Sequence, residues 1–187
     1  MTNSLEVFVI VVLVAVTMPV PQLSTGVPFD MAADIPVIPP VMVLGLWIIG
    51  AAFHFVYPAP LLPKDNSGLF GRVAYFGAVA AFMWFLIQTS SDALEAVNSG
   101  VAFTPVGGMT TDVWPYTMSR NPIYAALVAL AFPAMAVFNN SFYHLLLMWV
   151  MFLYLDIIVI PAEEALLQAH FAKQFVAYAA STPRWFL

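Results

Sequence analysis

The chain has 187 residues, of which 63% are hydrophobic and only 8% are charged, and its formal net charge is −5. Soluble domains carry about 25% charged residues and about 45–50% apolar ones, so this composition predicts an integral membrane protein. The length excludes a separate soluble nucleotide-binding domain beside several membrane spans. Only five residues are basic, which argues against a nucleic-acid partner.

Cysteine is absent, so the sequence excludes a disulfide framework and thiolate chemistry. The three histidines are scattered along the chain without the spacing of metal ligands. We therefore predict no metal site.

The first half of the chain contains three apolar runs that predict membrane spans. Residues 5–20 form a short run without basic residues at its start, which favours a retained span over a cleaved signal peptide. Residues 21–40 hold five prolines and predict a surface loop. The second span is predicted at 41–57, after two prolines suited to a helix start, and the third at 72–88.

The second half begins with a long polar connection, residues 89–119, and a connection of this length is usually functional. Two further apolar runs, 122–138 and 142–161, predict a helical hairpin because only Asn139-Asn140-Ser141 separates them. Residues 162–180 are amphipathic and predict a helix that rests on the membrane interface. The expected fold class is an all-α membrane bundle of about five spans with a C-terminal interfacial helix, in one domain.

The hairpin predicts a polar site at one membrane face. Arg120 precedes its first helix and Glu163-Glu164 follow its second, so these groups emerge on the same side of the membrane. Simpler interpretations remain open for each residue: an arginine that reaches to lipid headgroups, and glutamates at a solvated helix start. Asn121 is predicted to cap the helix that begins at Pro122.

Asp156 is a second candidate because an ionisable residue inside an apolar span usually faces the bundle interior or a wet cavity. It lies seven residues before Glu163, so the two share nearly the same helix face. A small transporter centred on Asp156 is therefore an alternative, as is a structural hydrogen-bonding role for this residue.

Residues 103–187 contain an ordered set of short motifs. In chain order they are Pro115-Tyr116, Ser119-Arg120-Asn121-Pro122-Ile123-Tyr124, Glu163-Glu164-Ala165-Leu166-Leu167, Phe171, Tyr178 and Pro183-Arg184-Trp185. This order, with these gaps, resembles the isoprenylcysteine carboxyl methyltransferase family and is similar to the related phospholipid methyltransferases. The first hundred residues carry no such motif.

The resemblance implies an all-helical membrane enzyme that uses S-adenosylmethionine and methylates a lipid or lipid-like acceptor. It implies a pocket closed by the last two spans and the C-terminal segment, in the endoplasmic reticulum of a eukaryote or the inner membrane of a bacterium. Carried over by position, the expected catalytic residues are Arg120 and Tyr124. The expected cofactor-binding residues are Asn121, Glu163, Glu164, Arg184 and Trp185, joined by Trp114 and Tyr116, whose aromatic faces suit adenine or a sulfonium.

The chain also departs from the family pattern. Glycines of the pattern are replaced by Trp114, Ala126 and Ala172, and Val159 stands where carboxyl-methylating members often carry an arginine. The missing arginine weakens the case for a prenylcysteine carboxylate and, like Asn121 in place of histidine, favours a phospholipid amine, although both acceptors remain open. A non-catalytic membrane scaffold that retains the fold is a further alternative.

Overall fold

The structure is a computed structural model that describes residues 36–63, 68–99 and 108–186. The first predicted span, residues 5–20, lies outside these ranges. Within them the chain is all-helical, with turns and no strand. The four helices described are α1 (Pro39–Val56), α2 (Leu69–Glu95), α3 (Pro122–Phe138) and α4 (Tyr143–Ser181).

Three of these helices are long and apolar enough to cross a membrane: α1 with 18 residues, α2 with 27 and α4 with 39. They match the spans predicted at 41–57 and 142–161 to within one residue at the end of α1 and at the start of α4, and α2 contains the span predicted at 72–88. Helix α3 has the predicted bounds but is shorter, about 25 Å at 1.5 Å per residue. The described residues thus form an all-helical protein with three helices that could span a membrane, and the five spans expected are not confirmed.

Helix α2 continues to Glu95, into the stretch predicted as a polar connection. Three consecutive hydroxyls explain the difference, because each donates a hydrogen bond to the carbonyl four residues earlier. Thr89 Oγ1 lies 2.8 Å from the Phe85 oxygen and Ser90 Oγ lies 2.7 Å from the Leu86 oxygen. Ser91 forms the same bond, so these polar side chains are satisfied within the helix instead of ending it.

Helices α3 and α4 each contain one wider, π-helical turn, at Leu127–Ala131 and Leu155–Val159. Each turn ends two residues before a proline, Pro133 in α3 and Pro161 in α4. A proline ring has no N–H to donate and clashes with the carbonyl four residues earlier, and the extra residue in a π turn provides room for it. Helix α4 therefore runs on through Pro161, whereas the sequence predicted a separate interfacial helix from residue 162. Its backbone leaves helical geometry later, at Ala172 (φ 38°, ψ −107°).

The core lies between α3 and α4, with α1 and α2 packed against them. Phe132, Met151, Leu155 and Ile160 are fully buried in it. Trp47 of α1 contacts Phe132 edge to face, with ring centroids 6.3 Å apart.

The turn between α3 and α4 is tied to the connection between α1 and α2. Asn140 has a left-handed backbone (φ 49°), and its Oδ1 accepts a hydrogen bond of 2.6 Å from the Leu62 N–H. Arg72 Nη1 donates to the Phe138 carbonyl, 3.0 Å away, at the C-terminus of α3. These contacts fix one end of the hairpin, and the polar residues of the predicted site lie toward the other.

Candidate functional site

The candidate site forms where the start of α3, the middle of α4 and the C-terminal segment (residues 182–186) meet. Arg120 Nη2 lies 2.8 Å from Glu164 Oε1, so the hairpin brings together the two charges that it was expected to bring together. Their side chains are only 14% and 18% exposed. Partial burial strengthens this ion pair, because the surroundings screen it less than water would.

Arg120 also holds the end of α4. Its Nη1 donates hydrogen bonds of 2.8 Å to the carbonyls of Ala179 and Thr182. The last carbonyls of a helix lack intrahelical donors and carry partial negative charge, so a guanidinium there is favourable. The remaining donor, Arg120 Nε, is buried without a hydrogen-bond partner among the described residues.

Glu164 binds a second arginine from the C-terminal segment. Its Oε2 lies 2.6 Å from Arg184 Nη2, and its Oε1 lies 3.3 Å from Arg184 Nε. This hydrogen bonding to Glu164 is the main reason that the pKa of Arg184 lies above its ordinary value, so Arg184 stays charged. One carboxylate thus joins two guanidinium groups that lie far apart in sequence.

Asp156 extends the cluster by one carboxylate. Its Oδ1 accepts a hydrogen bond of 3.0 Å from Arg184 Nη1 and one of 3.1 Å from Trp185 Nε1. We call the four residues Arg120, Glu164, Arg184 and Asp156 the ion network. Trp185 also packs on Phe152 of α4, with ring centroids 5.1 Å apart.

The residues before α3 bind the backbone of the C-terminal segment. The Arg120 N–H donates to the Pro183 carbonyl at 2.9 Å, and Ser119 Oγ donates to the Arg184 carbonyl at 3.0 Å. Asn121 Nδ2 donates to the same carbonyl at 3.1 Å. Asn121 occupies the N-cap position of α3, but its side chain makes no capping hydrogen bond, contrary to prediction, because its amide is used on this segment.

Glu163 and two tyrosines form a second group beside the ion network, which we call the tyrosine–glutamate group. The Tyr124 hydroxyl donates a hydrogen bond of 2.7 Å to Glu163 Oε1. Tyr116 is buried, and its carbonyl accepts a hydrogen bond of 2.8 Å from the Tyr178 hydroxyl. Burial is the main cause that raises the pKa of the Tyr116 phenol above its ordinary value.

Eight of the nine residues predicted for the site belong to the ion network, to the tyrosine–glutamate group or to the contacts with the C-terminal segment. The exception is Trp114, which is 39% exposed and packs against Phe85 of α2, with ring centroids 5.8 Å apart.

Two residues of the cluster, Asp156 and Ser119, were not among the site residues predicted from the family resemblance. Asp156 was predicted as the centre of a transporter or as a structural hydrogen-bonding residue, and the sequence signal that could have linked it to the site is its seven-residue spacing from Glu163. Here its charge is paired with Arg184. Ser119, fully buried, also accepts a hydrogen bond of 3.0 Å from the Asn121 N–H, and a serine beside a motif arginine carries no such signal.

Comparisons of the chain with protein-family models, with curated proteins and with solved structures give no match. The family resemblance therefore rests on the motif residues of the sequence alone.

Proposed function

We propose that the chain is a membrane-integral methyltransferase that uses S-adenosylmethionine to methylate a lipid or lipid-like acceptor, either a phospholipid amine or a prenylcysteine carboxylate. The observation that supports it is the convergence of three sequence-distant motif segments on one cluster. Glu164 contacts Arg120 at 2.8 Å and Arg184 at 2.6 Å. The motifs that carry the family resemblance are far apart along the chain but are neighbours in the structure.

The donor and acceptor groups of the cluster suit this cofactor. S-adenosylmethionine presents a carboxylate, an amine, a sulfonium and ribose hydroxyls. Arg120 Nε is a buried donor without a partner among the described residues, so it could donate a hydrogen bond to a carboxylate or hydroxyl of the ligand. Glu163 accepts a hydrogen bond from Tyr124 and forms no ion pair with Lys or Arg in the part of the chain that the structure describes, so its second oxygen is available to a ligand donor such as the amine.

Positioning by these residues would supply most of the rate. When bound, S-adenosylmethionine would supply an electrophilic methyl group for transfer to a lone pair of the acceptor, and the electrons of the broken carbon–sulfur bond would remain on sulfur. Such an in-line displacement depends on alignment more than on proton transfer. In this proposal Arg120 and Glu164 orient the ligand, Tyr124 fixes the Glu163 carboxylate, and Trp185 helps to hold the C-terminal segment over the site.

The position along α4 fits an acceptor that stays in the bilayer. Helix α4 runs over residues 143–171, about 43 Å at 1.5 Å per residue, before its backbone breaks at Ala172, against about 30 Å for a hydrocarbon core. Glu163 and Glu164 lie before this break and beyond the most apolar part of the helix. A site at this level can receive a headgroup from the membrane and a polar cofactor from water. The protein itself is placed in the membrane by its helices, whether of the endoplasmic reticulum or of a bacterial inner membrane.

The test is methyl transfer to lipid. Purified full-length protein is incubated in vesicles of total lipid extract with S-adenosylmethionine labelled on the methyl group, and the labelled lipid is identified by chromatography and mass spectrometry. We expect label in one lipid class and at least a tenfold lower rate in Tyr124→Phe, which removes a single hydroxyl. Lys173→Ala, an exposed residue on the same helix, should keep the full rate.

Absence of label in every lipid class, from protein whose fold is intact by circular dichroism, would refute an enzymatic function. If Tyr124→Phe transferred methyl groups at the wild-type rate, the protein would still be an enzyme, but Tyr124 would have no part in its site.

A non-catalytic scaffold is the second candidate, and one observation favours it. Both arginines of the ion network are already paired with carboxylates of the same chain, so the cluster can hold the C-terminal segment without any ligand. Saturable binding of S-adenosylmethionine without transfer to any lipid would support this second function over the first.

A further inference from the structure

One residue inside α4 has a backbone that is not helical. Ala172 has φ 38° and ψ −107°, while α4 is helical on both sides of it. A positive φ brings the Cβ of an L-residue too close to its own backbone, which disfavours this conformation on the order of tenfold. Glycine, which has no Cβ, usually fills such positions, whereas alanine is the strongest helix former. The residue type and the local backbone therefore conflict at Ala172.

The break at Ala172 turns the last part of α4 back towards its middle. The guanidinium of Arg120 contacts both parts, because Nη2 lies 2.8 Å from Glu164 Oε1 and Nη1 lies 2.8 Å from the Ala179 carbonyl oxygen. In an uninterrupted helix, residues 164 and 179 would lie about 22 Å apart along the axis, beyond the reach of one guanidinium. We call residues 173–186, which follow the break, the C-terminal arm.

The C-terminal arm is held by contacts with residues that precede the break. The Tyr178 hydroxyl donates a hydrogen bond of 2.8 Å to the carbonyl of buried Tyr116. Arg184 Nη2 lies 2.6 Å from Glu164 Oε2, and Arg120 binds the last carbonyls of the arm's helix. These contacts stabilise the arm in its observed position and oppose the strain at the break.

The same chain has a second arrangement that relieves the strain. With helical φ and ψ at Ala172, α4 would run straight to residue 181, with a length of about 58 Å. The straight helix loses the contacts of the arm and loses the strain, whereas the observed position keeps both. Opposing contributions of this kind are what an element with two positions requires.

We propose that the C-terminal arm is a hinged cover, which turns on Ala172 between a closed position over the candidate site and a straight position that opens it. The ion pairs of Glu164 with Arg120 and Arg184 hold the cover closed. Opening separates Arg184 from Glu164 and frees Arg120 from the carbonyls of the arm, so that a ligand can reach these groups. The inference goes beyond the proposed function, because a movable cover admits a ligand whether the protein transfers a methyl group or only binds.

Two substitutions should move the arm in opposite directions. Ala172→Gly removes the Cβ that strains the closed position and lowers the helix propensity that favours the straight one, so both effects favour closure. We expect the ratio of straight to closed protein to fall at least tenfold. Glu164→Gln weakens the charged contact that Arg120 and Arg184 share, and it should raise the same ratio at least tenfold.

Distances between two spin labels measure this ratio. The chain has no cysteine, so two introduced cysteines are the only labelled sites. Leu153→Cys and Ala180→Cys, both at exposed positions, lie on the two sides of the break. The labels would be about 40 Å apart in the straight helix and at least about 10 Å closer with the arm closed. Pulsed electron resonance on the full-length protein in lipid nanodiscs reports both populations in one sample.

The sharpest comparison is made in the Glu164→Gln background, where we expect the straight population to be largest. Adding Ala172→Gly should return the distance to the short value. Adding Ala177→Gly is the matched control and should not, because residue 177 is exposed and helical in both positions. Tyr178→Phe is a milder variant that removes only the hydroxyl bonded to Tyr116, and it should raise the straight population several-fold.

A short distance alone in both Glu164→Gln and Tyr178→Phe would show a fixed arm and overturn the proposal. A long distance that Ala172→Gly leaves unchanged would overturn it as well, because the movement would not occur at Ala172. Methyl transfer to lipid is measured separately on unlabelled protein, so the failure of the hinge and the failure of the proposed function are distinguishable.

Discussion

Arg120 and Arg184 are held by the two oxygens of one carboxylate, that of Glu164, at 2.8 Å and 2.6 Å. The relationship makes Glu164 the centre of the ion network, because its removal leaves two guanidinium groups side by side with only Asp156 to balance them. Like charges left without their shared partner in a partly buried cluster repel each other. The stability of this end of the protein should therefore depend on Glu164 more than on any other carboxylate of the cluster.

Glu164→Gln should destabilise the protein by about 2–3 kcal/mol. Breaking a buried pair costs about 3–5 kcal/mol, and the 31% exposure of Arg184 moves the expected value below that range. The measurement is the midpoint of thermal unfolding in detergent, followed by circular dichroism. Glu95→Gln, at an exposed position, should leave the midpoint unchanged.

A Glu164→Gln midpoint equal to that of the wild type would mean that the network contributes nothing to folding. The ion pairs would then matter only for a ligand.

Ser119→Ala tests the buried contact between the start of α3 and the C-terminal segment. Ser119 Oγ donates to the Arg184 carbonyl and accepts from the Asn121 N–H, both at 3.0 Å, and the residue is fully buried. Loss of the hydroxyl leaves the Asn121 N–H without its acceptor and leaves the Arg184 carbonyl with the Asn121 Nδ2 donor alone, which should cost about 1–3 kcal/mol in unfolding free energy. The same unfolding measurement applies, with the partly exposed Ser181→Ala as the control, and equal losses in both variants would contradict the argument.

The hairpin and the proximity of Arg120 to Glu164 could be predicted from sequence, because two apolar runs of known length with three polar residues between them leave little geometric freedom. The partnership of Arg184 with Asp156 could not. It depends on a break inside α4, where Ala172 has a non-helical backbone (φ 38°, ψ −107°), and on the extended backbone of Thr182 (φ −122°, ψ 126°) before the C-terminal segment. No periodicity in the sequence encodes such a break.

The bounds of α2 and α4 were missed for a related reason. Sequence rules treat Pro161 as a break, but a π turn at Leu155–Val159 accommodates it. They likewise treat three consecutive hydroxyl residues after 88 as the start of a connection, but these hydroxyls bond to their own helix. In both cases a local hydrogen-bond arrangement overrides the average behaviour of the residue type.

Gly50→Ala and Gly45→Ala in α1 should have opposite effects on stability. A Cβ at Gly50 would lie 3.1 Å from both His144 Nε2 and Leu147 Cδ1, whereas a Cβ at Gly45 would meet nothing within 4 Å. Alanine at Gly45 should stabilise the helix by about 0.5–1 kcal/mol. At Gly50 the same gain is offset by the displacement of fully buried His144, and we expect a net loss of about 1 kcal/mol.

Unfolding midpoints of the two glycine variants, measured side by side, check this difference. A gain at both positions would mean that α1 shifts away from α4 without cost, and the close approach at Gly50 would not matter for stability.

Asp156→Ala should release the C-terminal segment without unfolding the bundle. The substitution removes the acceptor of Arg184 Nη1 and of Trp185 Nε1, while Arg184 keeps its bonds to Glu164. Hydrogen exchange followed by mass spectrometry should then show exchange at least tenfold faster in residues 182–186 and unchanged rates in the middle of α3. Asp112→Ala, at an exposed position before the site, serves as the control. If the segment exchanged at the wild-type rate in Asp156→Ala, the backbone bonds from Ser119, Arg120 and Asn121 would suffice to hold it, and Asp156 would have no part in closing the site.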